Sequence, residues 1–103
     1  MIIPVAPAHV TMSKWNIIVI IHKGKTIEKF LGYDVNARNY RISSQIIEYD
    51  AENKRGRTDS GSIYAFLDEP GQLHPLAKEV FDRLNAWDEV EVSLKFKDAQ
   101  NEE

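Results

Sequence analysis

A two-residue alternation of apolar and polar positions recurs along the chain and gives way once to a helical period. Trp15, Ile17, Val19 and Ile21 alternate with Asn16, Ile18, Ile20 and His22. Both sets are apolar in the middle, which predicts a strand covered on both faces and therefore central in its sheet. His22-Lys23-Gly24-Lys25 offers a tight turn, with Gly24 free to take a positive φ, and residues 26–33 return as the wetter arm of a hairpin. The polar stretch 34–39 is rich in turn formers and reads as a connection. Beyond it Tyr40, Ile42 and Ile46 share one face while Ile47 and Tyr49 share the other, and the change of phase at Ser43-Ser44 predicts a bulge.

Asn53-Lys54-Arg55-Gly56 is the clearest turn signal: Asn first and Gly fourth suit a type I turn closed by a left-handed Gly56. The returning strand then spans 57–67, weak over 58–62, with Gly61 marking an irregularity. Asp68-Glu69-Pro70-Gly71 ends the sheet pattern, and Pro75 suits the first turn of a helix. From there Leu76, Val80, Leu84 and Trp87, joined by Ala77 and Phe81, form one apolar stripe, leaving Lys78, Glu79, Asp82 and Arg83 outside. After Asp88 strict alternation returns, with Val90, Val92, Leu94 and Phe96 inward and Glu89, Glu91, Ser93, Lys95 and Lys97 outward. The predicted fold class is α+β: a mostly antiparallel sheet in the order β-β-β-β-α-β, with one amphipathic helix packed on one face. Trp15, Trp87, Phe81, Phe66 and Phe96 are the large residues expected to fill its core.

A chain of 103 residues fits one such domain. The expected division is an irregular N-terminal arm over 1–13, a single α+β domain over 14–97 and a polar tail over 98–103. Met12, directly before Ser13-Lys14-Trp15, would also serve as a start, so residues 1–11 read as an arm or as upstream sequence. No apolar run approaches the roughly 20 residues of a membrane-spanning helix, and the N-terminus lacks a secretory pattern. Cysteine is absent, which removes disulfides, thiolate metal sites and thiol nucleophiles together. The simplest address is cytoplasmic.

The formal charge of −3 argues against a surface built throughout for nucleic acid. Its distribution is more telling. Residues 1–57 hold nine Lys/Arg against five Asp/Glu, and residues 58–103 hold four against eleven, so the halves carry +4 and −7. The plain reading is that these charges meet across the sheet or face water.

No spacing points to catalysis, a metal or a cofactor. His9, His22 and His74 lie in separate segments with no ligand spacing. Glu48, Asp50 and Glu52 would share one face of a regular strand, a set that can hold a hard cation or divide acid and base roles. With Lys54 and Arg57 just across the turn, exposed cross-strand pairing accounts for them more simply. Lys54, Arg55 and Arg57 on one hairpin tip and Lys23 and Lys25 on another form a candidate patch for an anionic ligand or nucleic acid, with Arg38, Arg41, Tyr33 and Tyr40 nearby in sequence. There is no phosphate-cradling glycine loop and no Gly-x-Ser-x-Gly elbow. An enzyme would need a pocket between helix and sheet holding groups such as Tyr64, Glu48 or His74.

The final strand bears on self-association. If it lies at a sheet edge, Val90, Val92, Leu94 and Phe96 mark a strand that pairs with a partner. Glu89, Glu91, Lys95 and Lys97 would then either guard that edge or decorate the outer face of a two-fold dimer. In overall type, with Trp15-Asn16-Ile17-Ile18-Val19-Ile20-Ile21 opening a hairpin and Glu69-Pro70-Gly71-Gln72-Leu73-His74-Pro75 leading a helix, the chain resembles the small α+β orphan proteins of bacterial mobile elements, including integron gene cassettes. That resemblance covers residues 12–97, implies a bacterial protein and transfers no site residues. The leading expectation is a non-catalytic binding or interaction module that forms a homodimer, with a protein partner as a variant of the same idea. The alternatives are a binder of nucleic acid or anions through the basic tips, and a small enzyme.

Overall fold

The structure, a computed structural model, describes residues 7–96. Its elements are β1 (Val10–His22), β2 (Lys25–Asp34), β3 (Asn39–Asp50), β4 (Arg55–Thr58), β5 (Ile63–Phe66), α1 (Pro75–Asn85) and β6 (Glu91–Leu94). This is an α+β fold with a mostly antiparallel sheet and one helix, as the periodicity predicts. Among the described residues it has six strands where the alternation predicts five, in the order β-β-β-β-β-α-β.

The sheet order is β2-β3-β4-β5-β1-β6, and β1 pairs with β2 as well. The first five strands therefore close into a ring, with β6 attached to the outside of β1. An up-and-down meander reverses at every turn, so the first and fifth strands meet in parallel; Val10 aligns with Tyr64 and Met12 with Phe66. Closure explains why the expected strand over 57–67 is broken. A straight segment could not pair with β3 and also return along β1. The chain reverses between Thr58 and Ser62, where Gly61 takes φ 88° and donates to Thr58 O at 2.9 Å.

β1 serves two structures in succession. Its first residues pair with β5, and Ile18–Ile21 pair with β6. The change of neighbour occurs at an irregularity between Ser13 and Asn16, where Lys14 has φ 46°. The backbone N–H of Lys14 released there donates to the Asp68 carboxylate at 3.1 Å, and the Trp15 indole Nε1 donates to the Asp68 backbone carbonyl at 2.9 Å. Asn16, fully buried, accepts from Ile17 N at 2.8 Å and Phe96 N at 3.1 Å through Oδ1, and donates to Phe96 O at 2.9 Å through Nδ2. Gly32 faces this kink, and a Cβ there would stand 2.8 Å from Trp15 Cα. β1 begins at Val10, inside the segment expected to be irregular, because Val10 and Met12 are core residues. Lys97 and the expected tail over 98–103 lie outside the described residues.

The bulge predicted at Ser43-Ser44 is present. Lys29 pairs with Gln45 but Leu31 pairs with Ile42, so two residues of β3 oppose Phe30, whose N–H donates to Ser43 Oγ at 2.8 Å. The turn after β3 differs from expectation. It occupies residues 51–54, its left-handed residue is Lys54 at φ 55°, and Gly56 lies within β4, buried against the Phe30 ring.

Two apolar layers result. Inside the ring Trp15 stacks on Phe66 at 3.8 Å between centroids, and Phe30, Tyr49 and Tyr64 complete the cluster, with Phe96 packed against it. On one outer face Ile18, Leu31 and Ala77 form the centre of a helix-on-sheet layer that includes Phe81, Leu84 and Val92. Trp87, expected in the core, is 62% exposed. The helix ends at Asn85 with Ala86 as its cap, so the chain leaves the helical period before the stripe reaches Trp87.

Candidate functional site

Near the β1–β2 hairpin the sheet extends past the end of α1, and its helix-side face is left partly uncovered. A shallow depression of about 460 Å³ lies there, walled by Ile20, Ile27, Ile42, Leu84, Trp87 and Val90, with His22, Lys29 and Glu89 at its rim. A smaller one of about 290 Å³ lies between Tyr40, Val80, Arg83, Leu84 and the same Trp87. Trp87 stands between the two with most of its surface in water, and Tyr40 beside it is also exposed. Large aromatic residues left exposed together mark contact surfaces more often than isolated apolar residues do.

The same region carries the open margin of the sheet. Among the described residues, β6 has a strand neighbour only on its β1 side. Lys95 N donates to Ile17 O at 2.8 Å. Alternation along the strand then turns the backbone groups of Glu91 and Ser93 toward β1 and those of Val92 and Leu94 outward. Both ends of this margin are fastened. His22 Nδ1 hydrogen-bonds with Glu89 O at 2.9 Å before the strand, and Asn16 binds both backbone groups of Phe96 after it.

The four residues singled out for self-association are thus divided in role. Val90 lines the groove, Val92 joins the helix-on-sheet layer, Phe96 packs on the ring core, and Leu94 is half-buried. Their side chains serve the subunit; the open feature is the backbone edge at Val92 and Leu94. Sequence reasoning missed Trp87 as a surface residue, although its place beyond the last full turn of the helix, next to Asp88, was a usable sign.

The two basic tips are not brought together. Lys23 and Lys25 flank the β1–β2 turn, at the C-terminal end of β1. Lys54 lies at the other end, where its carbonyl accepts from Phe66 N at 3.0 Å and its Nζ meets Glu69 at 3.4 Å. Phe66 pairs with Met12, and the ladder from Asn16 to His22 separates the two places by about 20 Å at ~3.3 Å per residue. Arg57 reaches Glu48 at 3.1 Å across the β3–β4 pair, and Arg55 opposes Asp50. The combined patch of Lys23, Lys25, Lys54, Arg55 and Arg57 does not form, because register sends its halves to opposite ends of β1.

The other polar side chains lie elsewhere, most of them in contacts within the fold. Asp34, buried at the end of β2, accepts from Asn36 N and Ala37 N at 3.1 Å and from Arg41 Nε at 2.9 Å. Burial alone would raise its pKa, but the hydrogen bonds from Ala37, Arg41 and Asn36 outweigh it and hold the carboxyl below the usual range. Burial pushes the Tyr64 and Tyr49 phenols up, as expected for hydroxyls beside an aromatic core. Of the acidic trio, Glu48 pairs with Arg57, Asp50 accepts from Asn53 Nδ2 at 2.8 Å to fix the turn, and Glu52 sits within that turn. Among the described residues no group of His, Asp and Glu is arranged to hold a metal ion. His74 stacks on Tyr33 and accepts from Leu76 N at 3.1 Å to cap α1, and His9 Nδ1 accepts from Ile63 N at 2.8 Å. Neither Tyr64, Glu48 nor His74 lines the groove beside Trp87.

The chain matches no family model, no curated protein and no solved structure. Among the described residues no helix is long and apolar enough to cross a membrane.

Proposed function

We propose that this protein is a non-catalytic interaction module that self-associates, acting in the cytoplasm. The observation that carries the reading is the open β6 edge, flanked on the helix side by an apolar groove and the exposed Trp87. A strand edge next to apolar surface can take a protein neighbour, because backbone bonds supply attachment and the apolar flank supplies desolvation. The groups best suited to chemistry support the same reading: Glu48 and Asp34 are in ion pairs, His74 caps the helix and Tyr64 is part of the ring core.

Light scattering over a dilution series tests this. A particle of twice the 11.8 kDa chain mass that dissociates on dilution is the expected result. A monomer at every concentration up to the millimolar range would refute the proposal.

A further inference from the structure

Taking the self-association reading as its premise, we infer that β6 pairs antiparallel with β6 of a second copy about a two-fold axis at Ser93. Three observations set this register. First, the outward backbone groups belong to Val92 and Leu94, the residues on either side of Ser93. An axis at Ser93 places Val92 opposite Leu94 of the second copy and Leu94 opposite its Val92. Each of these pairs exchanges two N–H···O bonds, with the two serines as the close, non-bonded pair between them.

Second, the same axis makes the strand complementary to itself in charge. Glu91 falls opposite Lys95 of the second copy, and Lys95 falls opposite its Glu91. Both side chains lie on the exposed face with Ser93, and directly opposed residues on one face of an antiparallel pair are within reach of each other. Lys95 already leans over the sheet to Glu28 at 3.0 Å, so it would bridge two carboxylates.

Third, neighbouring registers fit worse. An axis at Leu94 would require the backbone of Phe96, whose N–H and C=O are both bonded to Asn16. An axis at Val92 would set Glu91 against serine and Lys95 against Glu89, which lies in the turn before the strand with its carbonyl held by His22. A two-fold axis is also the commonest way for a soluble chain to close its own edge.

Charge exchange tests the register. E91K opposes lysine to lysine at two places in the dimer, and K95E opposes glutamate to glutamate. Each single variant should weaken the dimer at least about 10-fold in Kd at low salt, while an equimolar mixture of the two should form a heterodimer close to wild-type affinity. The E91K/K95E double variant should return to within about threefold of wild type by the same pairing logic. Thermal melts of each variant establish that it folds, and the mixture separates repulsion across the axis from loss of the Glu28 contact, which it does not repair. If wild type dimerises and all variants dimerise equally, this register is overturned while self-association stands. If wild type is monomeric throughout, the premise falls with it.

Discussion

Replacing Gly56 with alanine separates two roles that a glycine in a Lys-Arg-Gly-Arg segment can have. In the structure Gly56 belongs to β4, and a Cβ there would stand 2.5 Å from Phe30 Cε2 and 3.2 Å from Cε1, with Cζ closer still. Ordinary carbon contacts begin near about 3.5 Å, so the ring would have to retreat by roughly an ångström. It has nowhere to go: Phe30 is fully buried, with ring centroids of Phe66 at 4.9 Å, Tyr64 at 5.3 Å and Trp15 at 5.8 Å. Overpacking of this kind costs about 1–3 kcal/mol, offset by roughly 0.4–1 kcal/mol because alanine restricts the unfolded chain more than glycine does. The expected net loss is about 1–2 kcal/mol, a fall of roughly 5–15 °C in Tm for a domain of this size. Urea unfolding measures it. In a Phe30→Leu background the shorter side chain leaves room for the methyl group, and the added cost of Gly56→Ala should drop below about 0.5 kcal/mol, the usual limit of additivity between independent sites. Equal cost in both backgrounds, or rescue by Gly56→Asn, would refute the packing argument and restore the turn reading.

Asp34→Asn should destabilise by about 1–3 kcal/mol, since a buried carboxylate gives up charge-assisted bonds from Arg41 and two backbone N–H groups. Because the folded pKa of Asp34 is lowered, its contribution is fully present above the unfolded value of about 3.9 and is lost as pH falls through the folded value; urea midpoints below pH 4 should fall less steeply for the variant. In dilute solution, where the chain is monomeric, Trp87→Ala should change stability by no more than about 0.5 kcal/mol, as for other surface positions, yet remove the red-shifted part of the tryptophan emission and leave that of buried Trp15. Lys23 has φ 51° beside Gly24 at φ 78°, the two positive values of a type I′ turn, so Lys23→Asn should raise Tm; an unchanged or lower Tm would contradict that geometry.

Much of the fold was legible because it is written locally. The hairpin at Lys23-Gly24, the bulge at Ser43-Ser44 and the helix after Pro75 each follow from residues within a few positions of one another. What the sequence hid depends on distant partners. The parallel pairing of Val10–Met12 with Tyr64–Phe66 closes the ring, and nothing in either short segment specifies the other. Gly56 has the sequence context of a turn, and only the Phe30 ring across the core gives it another purpose. The exchange of neighbours along β1 likewise depends on Asn16 meeting Phe96, 80 residues away. At the candidate site, the final strand and its alternation could be read directly. Its position as an edge, the exposure of Trp87 and the separation of the basic tips follow from how the strands assemble.

If the backbone edge at Val92 and Leu94 joins two copies, residue-resolved amide exchange at high and low protein concentration will show it. The Ser93 and Lys95 amides, bonded within the subunit, should be protected at both concentrations. The Val92 and Leu94 amides should be protected at the high concentration and lose that protection on dilution. Fast exchange of Val92 and Leu94 in a sample whose mass is that of a dimer would contradict the claim and move the interface elsewhere.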